Sequence, residues 1–402
     1  MAIQRSRTFD IGDRLTVTIE KVAHGGHFVA RHEGQVLFVR HAIPGEVVEV
    51  EITSAGANFL RADAISVINA SPDRVVPPCR FSLPGLCGGC DFQHISLPRQ
   101  RQLKRDVIKE QFLRLAKIEV EVVVEEVGIG DSDGLHWRTR TNAASDEVGR
   151  LGFYAARTNQ VIAVDGCLIS SAQMQIAELA KRKWPARSRV EISISNTGEQ
   201  TVALAPAGRG SKSRITTGTK ISHEVVLEKS IEVSQGAFWQ SHSQGPALLS
   251  LQVRETLRAG DHVLDLYAGV GLFSAAALDL IGETGQIDLI ESSRVAIQDA
   301  QRNFSKAPNV RIHAGDVALE VKKLKSADVV VLDPPREGAG KAVLESVARL
   351  APRTILYIAC DPASLARDSA YLSALGYAIS SLRAFDLFPM THHVECVARF
   401  EP

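Results

Sequence analysis

The sequence predicts an α/β chain: a doubly wound, Rossmann-like domain at its C-terminal end, preceded by a small β-barrel and a β-rich central unit. Three observations predict it. From about residue 246 onward, strand and helix signals alternate. The glycine turn Asp265-Leu-Tyr-Ala-Gly-Val-Gly-Leu-Phe-Ser274 joins an apolar run to a helical segment, the strand–turn–helix order of a nucleotide-binding crevice. Short, regular strands over residues 13–69, separated by glycine and proline turns, predict five strands closed into a barrel.

The 402 residues suffice for two or three domains, and 45% apolar content suffices to give each a core. Lys+Arg and Asp+Glu both number 46, so net charge by itself announces no nucleic-acid partner. No apolar run reaches membrane-spanning length, and residues 1–10 carry no apolar signal segment. A cytoplasmic protein is expected, with no membrane or DNA partner and a monomer as the default state. Six cysteines in such a chain argue against a disulfide framework.

In the barrel, Arg31, Arg40, Arg61 and the neighbouring histidines are candidates for a basic face. The pattern resembles a TRAM domain, an RNA-binding barrel. A proline-bounded linker, 71–78, leads to Cys79 and then Cys87-Gly-Gly-Cys90, with Cys167 farther on. Four thiolates suit Zn²⁺ or a 4Fe–4S cluster equally by count, and a lone CxxC also suits a redox dithiol. Residues 97–117 form a basic amphipathic helix: Leu103, Val107, Ile108 and Leu115 face the core, and Arg99, Arg101, Lys104 and Lys109 face outward. Strands over 136–164 and 188–204 make the central unit, in which residues 137–140 and the loop 207–214 are expected to be exposed, cationic phosphate contacts.

In the last domain, strands are expected at 263–266, 287–290, 310–313, 329–332 and 354–358, with helices at 246–258, 272–281, 293–305, 340–350 and 363–374. Residues 377–385 and 394–400 would add an antiparallel hairpin at the sheet edge. Ligands of such sheets bind at the strand C-termini. Asp265 closes the first strand, and Glu291 ends the next, within reach of ribose hydroxyls. Gly269 and Gly271 let the backbone approach the ligand. A carboxylate directly before the loop repels a pyrophosphate but suits a sulfonium with an ammonium group, which favours S-adenosylmethionine over NAD or FAD.

Three further groups sit at later strand ends: Asp333 in Asp333-Pro-Pro-Arg-Glu-Gly338, Cys360 in Tyr357-Ile-Ala-Cys-Asp-Pro362, and Glu395 after Asp386-Leu-Phe-Pro-Met-Thr-His-His-Val. A thiol just before a helix is expected to have a lowered pKa. Cys396 points opposite to Glu395 and reads as strand packing. A thiolate and a carboxylate beside a methyl donor fit C5 methylation of uracil. Sulfur addition at C6 makes C5 nucleophilic, and a base then removes the C5 proton. Cys360 is the candidate nucleophile and Glu395 the base. Asp333 would hold the pyrimidine edge, and Phe238 would stack on a flipped base.

These motifs, with Cys87-Gly-Gly-Cys90, resemble the RNA 5-methyluridine (uracil-C5) methyltransferase family over nearly the whole chain. The resemblance implies a class I S-adenosylmethionine-dependent catalytic domain and a 4Fe–4S cluster held by Cys79, Cys87, Cys90 and Cys167, with zinc as the second candidate occupant. It also implies that Gln240, Tyr267, Gly269, Gly271, Glu291, Asp316 and Asp333 line the cofactor site, with Phe238, Asp333 and Arg336 on the substrate side. Helix 97–117 would pack on the catalytic domain. The division expected is 1–69 barrel, 70–96 with 120–235 central, and 97–119 with 236–402 catalytic. The Cys79 to Cys87 spacing exceeds the usual family gap, and Leu272 stands where a polar residue is common. Structured RNA, in particular 23S ribosomal RNA, is the expected partner, because the barrel and cysteine unit mark the ribosomal branch. A transfer-RNA T-loop uridine and a non-catalytic iron–sulfur RNA-binding protein are the alternatives. A cytosine enzyme is disfavoured, because Ala359 rather than proline precedes Cys360.

Overall fold

A computed structural model describes residues 9–56, 58–128, 133–206 and 212–402. Strands β1 (Arg14–Ala23), β2 (His27–His32), β3 (Gln35–Arg40), β4 (Val47–Ala55) and β5 (Leu60–Asn69) close into a barrel of order β1-β2-β3-β5-β4. Alternation along the strands points Phe28, Leu37, Val39, Val48 and Val50 into a sealed interior. Each such side chain contributes roughly 1.5–3 kcal/mol. The expected basic face is largely paired: Arg31 lies 3.8 Å from Glu20, Arg40 lies 3.5 Å from Asp91, and Arg61 covers the Phe59 ring.

Helix α1 (Leu97–Gln111) starts on Pro98 and runs into a π-helical turn, Phe112–Ala116, which ends at Lys117 in a left-handed conformation. It buries Leu103 and Ile108 as its periodicity predicts, while Leu115 is exposed. Lys104 corrects the expectation of an outward charge. It is fully buried, with its Nζ 2.5 Å from Asp386 Oδ1 and 3.0 Å from the Phe388 carbonyl. The other cations of this helix are also engaged within the chain: Arg101 with Glu126 at 3.0 Å and Lys109 with Glu121 at 2.6 Å.

Strand β6 (Val124–Glu126) follows. The central sheet holds β7 (Arg140–Ser145), β8 (Leu151–Tyr154), β9 (Val161–Ala163), β10 (Ser188–Ile194), β11 (Gln200–Pro206) and β12 (Arg214–Thr217), in the order β12-β11-β10-β7-β8-β9. A short helix α2 (Ile176–Ala180) covers it. Trp137 and Arg140 are not exposed phosphate contacts: Trp137 is buried, and Arg140 pairs with buried Glu224 at 3.3 Å. Most of the loop 207–214 lies outside the described residues. The hairpin β13 (Ile221–Val226) and β14 (Lys229–Ser234) stands apart from that sheet. Its Val226, Ile231 and Val233 pack into the catalytic core instead.

The catalytic sheet is formed by β15 (His262–Leu266), β16 (Gln286–Glu291), β17 (Val310–Ala314), β18 (Val329–Leu332), β19 (Thr354–Ala359), β20 (Ala378–Asp386) and β21 (Glu395–Glu401), joined by β6. Its order is β17-β16-β15-β18-β19-β21-β20-β6. Helices α3 (Gly245–Arg254), α4 (Leu272–Ile281), α5 (Arg294–Asn303), α6 (Val317–Glu320), α7 (Lys341–Arg349) and α8 (Pro362–Ala374) accompany it. The hairpin β20–β21 is antiparallel as expected but is not the edge, because β6 pairs in parallel with β20 at Ala384–Asp386. Val120, Val122 and Val124 pack into this core, so residues 120–126 go with the catalytic sheet and not with the central unit. Alternate apolar residues there supply one buried face, and β6 covers the edge that β20 would otherwise expose. Among the described residues, no helix is long and apolar enough to cross a membrane.

Candidate active site

The strand order reverses between β15 and β18, and a crevice opens there at the strand C-termini. Neighbouring strands deliver Asp265, Asp333, Cys360 and Glu395 in sequence along that edge. Leu266 registers with Leu332, Leu332 with Tyr357, and Ala359 with Cys396. The last pairing is antiparallel, so the residue after Ala359 and the residue before Cys396 face each other. The nucleophile and base candidates therefore meet although 35 positions separate them.

Burial pushes the Cys360 thiol up to about 12; Glu395 and Asp333 add to the rise and Arg336 opposes it. This overturns the expected lowered pKa. The helix N-terminus is already served by Asp361, whose Oδ1 accepts from the Ser364 amide at 2.8 Å, and burial, with the nearby carboxyls adding to it, outweighs what remains. Burial likewise holds Glu395 well above the carboxylate range, with Asp333 adding to it. Asp333 is raised by burial and by Asp265, against a hydrogen bond from Gln240 Nε2 at 3.0 Å. A testable consequence concerns alkylation. Removing a neighbouring carboxylate lowers the thiol pKa and raises its thiolate fraction. Asp333→Asn is therefore expected to speed iodoacetamide labelling of Cys360 at pH 8 by about 3- to 10-fold, read peptide by peptide in a mass spectrometer. Rapid labelling of the unaltered protein near neutrality would contradict the raised pKa.

The residues at the glycine turn fit a cationic, nucleoside-bearing cofactor. Asp265 is fully buried; its Oδ2 accepts from the Ser274 amide and hydroxyl, while Oδ1 has no partner. Burial pushes its carboxyl up to about 7. An unpartnered carboxylate oxygen in such a place calls for a positive group on the ligand. Gly269 has φ +57° and nothing within 4 Å of where a Cβ would stand, so the cradle beside it is open. Gly271 serves differently: its φ is +94°, and a Cβ would strike the Phe304 ring at 2.3 Å. The side chain it lacks would therefore run into the protein, which is why only glycine fits this turn. Glu291 accepts from the Gly269 amide at 2.8 Å on Oε2 and from the Ser292 and Ser293 amides on Oε1, leaving a lone pair of Oε2 for a ribose hydroxyl. Tyr267 is held at φ +61°, and Asp316 caps α6 from the rim.

Cys360 lines a pocket of about 220 Å³ with Arg336, His392 and His393. Arg336 Nη2 lies 3.3 Å from His393 Nε2, and burial lowers His393 to about 3, which leaves a neutral acceptor for the guanidinium. Phe238 is not in this pocket. It is 67% exposed and lines a separate cleft of about 700 Å³ with Arg138, Asn142 and Tyr154. Sequence reasoning gave His24, His392, His393, Lys104 and Asp386 no role at this site. The doubled histidine in the motif before Glu395 was the one visible signal.

Cys79, Cys87, Cys90 and Cys167 line one further cavity, walled by Phe81, Phe153 and Ile169. Backbone amides of Phe81 and Ser82 donate to Cys79, that of Gly89 to Cys87, and Gln93 to Cys90. All are free thiols. Among the described residues, no group of three or more ligating side chains is placed to hold a metal ion.

Residues 9–65 match the TRAM domain family, and residues 196–401 match the tRNA (Uracil-5-)-methyltransferase family. An uncharacterized RNA methyltransferase of Streptomyces coelicolor is 39% identical, with 98% of this chain and 93% of the relative covered. The 23S rRNA (uracil(1939)-C(5))-methyltransferase RlmD of Shewanella amazonensis is 29% identical, with 97% and 96% covered. Among solved structures, the Pyrococcus abyssi tRNA (uracil-54, C5)-methyltransferase in complex with S-adenosyl-L-homocysteine aligns with a TM-score of 0.72 at 22% identity. That alignment covers 96% of this chain and all of the other.

Proposed function

The chain belongs to the tRNA (Uracil-5-)-methyltransferase family and is an S-adenosylmethionine-dependent RNA methyltransferase acting at uracil C5; from that premise we propose that its target is a uridine of 23S ribosomal RNA. The observation that carries the chemistry is the meeting of Cys360, Glu395 and Asp333 beside a crevice with an unpartnered buried carboxylate. S-adenosylmethionine, when bound, supplies an electrophilic methyl group, and Gln240, Tyr267, Gly269, Glu291 and Asp333 are the residues that would hold it, with Asp316 at the rim.

Cys360 Sγ gives up its proton to the Asp333 carboxylate, which leaves Glu395 free for the later step, and the sulfur bonds to C6 of the uracil. The electron pair of the C5–C6 double bond moves toward C5 and O4, and C5 takes the methyl group. Glu395 then removes the C5 proton; the pair from that C–H bond re-forms the double bond and expels the Cys360 thiolate. A carboxylate whose pKa is raised is a stronger base once ionised, which suits Glu395 to this step. Asp333 orients the pyrimidine edge, and Arg336 places a positive charge where O4 becomes negative. Phe238, exposed on the adjoining cleft, stacks on bases of the same strand.

The ribosomal assignment rests on the likeness to RlmD. Architecture alone does not separate the substrates, since the P. abyssi structure, described as a tRNA enzyme, aligns with 96% of this chain. Methylation of 23S transcripts, with no activity on transfer RNA, would support the reading; the reverse preference would replace it with a T-loop uridine. RNA of this kind places the protein in the cytoplasm.

We propose that the four cysteines hold a 4Fe–4S cluster, with zinc as the second candidate occupant. These thiols line one cavity and receive N–H···S bonds, which suit thiolate ligands of either occupant, and the family resemblance is what favours the cluster. Cys90, Cys167 and Met390 share one apolar cluster, so a filled cavity braces the loop that leads to Glu395. Protein purified without oxygen is expected to be brown and to hold about four irons per chain, and Cys87→Ser to lose both. A colourless protein with a single zinc would contradict the cluster.

A further inference from the structure

The pocket around Cys360 is not closed by the catalytic domain alone. One wall is the barrel turn between β1 and β2, with Val22, His24 and Gly26 facing Cys360, Arg336 and His392 across it. Two contacts fix that wall. His24 Nε2 lies 2.8 Å from Asp361 Oδ2; a carboxylate only accepts, so the imidazole donates. Asp361 directly follows Cys360, and its other oxygen caps α8. Its carboxylate is therefore held at both oxygens, one from the barrel and one from the helix. The second contact is steric. Gly26, at φ +77°, lies so close to His392 that a Cβ would come within 2.8 Å of the imidazole. His392 is itself held by Asp91 at 2.6 Å and precedes Glu395 by three residues. The barrel thus touches the segment beside the nucleophile and the segment beside the base.

Resting on the uracil-C5 reading above, we infer that the barrel turn His24–Gly26 is a wall of the nucleoside pocket, and that His24 is a positioning residue acting through Asp361 on Cys360. RNA docked on the barrel is then coupled to the chemistry through this turn. A tether would act differently, since it would only raise the local concentration of substrate.

Steady-state methylation of an unmodified RNA transcript separates the two roles. His24→Ala is expected to lower kcat by about 10- to 100-fold, as sub-ångström misplacement of a nucleophile does, with the KM for RNA unchanged within about two-fold. His24→Gln, whose amide also donates, is expected to recover most of the rate. Melting temperature and S-adenosylmethionine binding should match the unaltered protein in both variants. A raised KM with unchanged kcat, or no change in either, overturns the inference. The underlying reading has a separate control: if His24→Ala is fully active while Cys360→Ala is dead, only this inference fails. An active Cys360→Ala sinks the chemistry itself.

Discussion

Cys360→Ala is expected to abolish 5-methyluridine formation, lowering the single-turnover rate by about 10⁴-fold or more, the scale at which loss of a covalent nucleophile is felt. No other described thiol can replace it. Cys396 is sealed in the core, and the remaining four line a separate cavity. The substitution removes one sulfur from a half-buried strand end, so its cost to stability is small, about 1 kcal/mol. Cofactor affinity should not change, because Asp265, Gly269 and Glu291 belong to other strands and loops. Retained methylation with weakened cofactor binding would mean that Cys360 only shapes the cofactor site. The measurement is methyl incorporation from labelled S-adenosylmethionine together with equilibrium binding of the cofactor.

Glu395→Gln has the second large effect, and a different one. Sulfur addition and methyl transfer precede the proton abstraction, so the variant should complete both and then stall. The product is a covalent protein–RNA species that survives denaturing electrophoresis, while turnover falls by about 10²- to 10⁴-fold, the usual contribution of a general base. Gln is nearly isosteric, and at this fully buried position it removes a titrating group without opening a cavity. Unhindered turnover would pass the role of base to Asp333, the nearest other carboxyl with a raised pKa.

The glycine turn, the strand tips and the barrel were legible because each rests on local pattern. Period-two alternation places Val48 and Val50 inward, and Gly269 and Gly271 mark the turn wherever the sheet lies. What was not legible depends on partners distant in sequence. Lys104 looks like any solvated lysine on an amphipathic helix until Asp386, 282 positions away, is seen to neutralise it. Taking either partner away leaves a buried charge, at a cost of about 3–5 kcal/mol. Arg140 and Glu224 repeat the lesson in the central unit. The Cys360 pKa was misjudged in sign for the same reason. The helix start is visible in Asp361-Pro362, but the burial that outweighs its effect comes from packing, and the carboxyls that add to it arrive just after β18 and on β21. His24 lay in a turn that read as barrel punctuation, and only the packing of the barrel on α8 gives it a chemical neighbour.

Peptide mapping of the species trapped by Glu395→Gln tests the central claim most directly. After nuclease and protease digestion, the account predicts a single modified peptide containing Cys360, heavier by a uridine nucleotide that already carries one extra methyl group. An adduct on another residue, or one on Cys360 lacking the methyl, would contradict it.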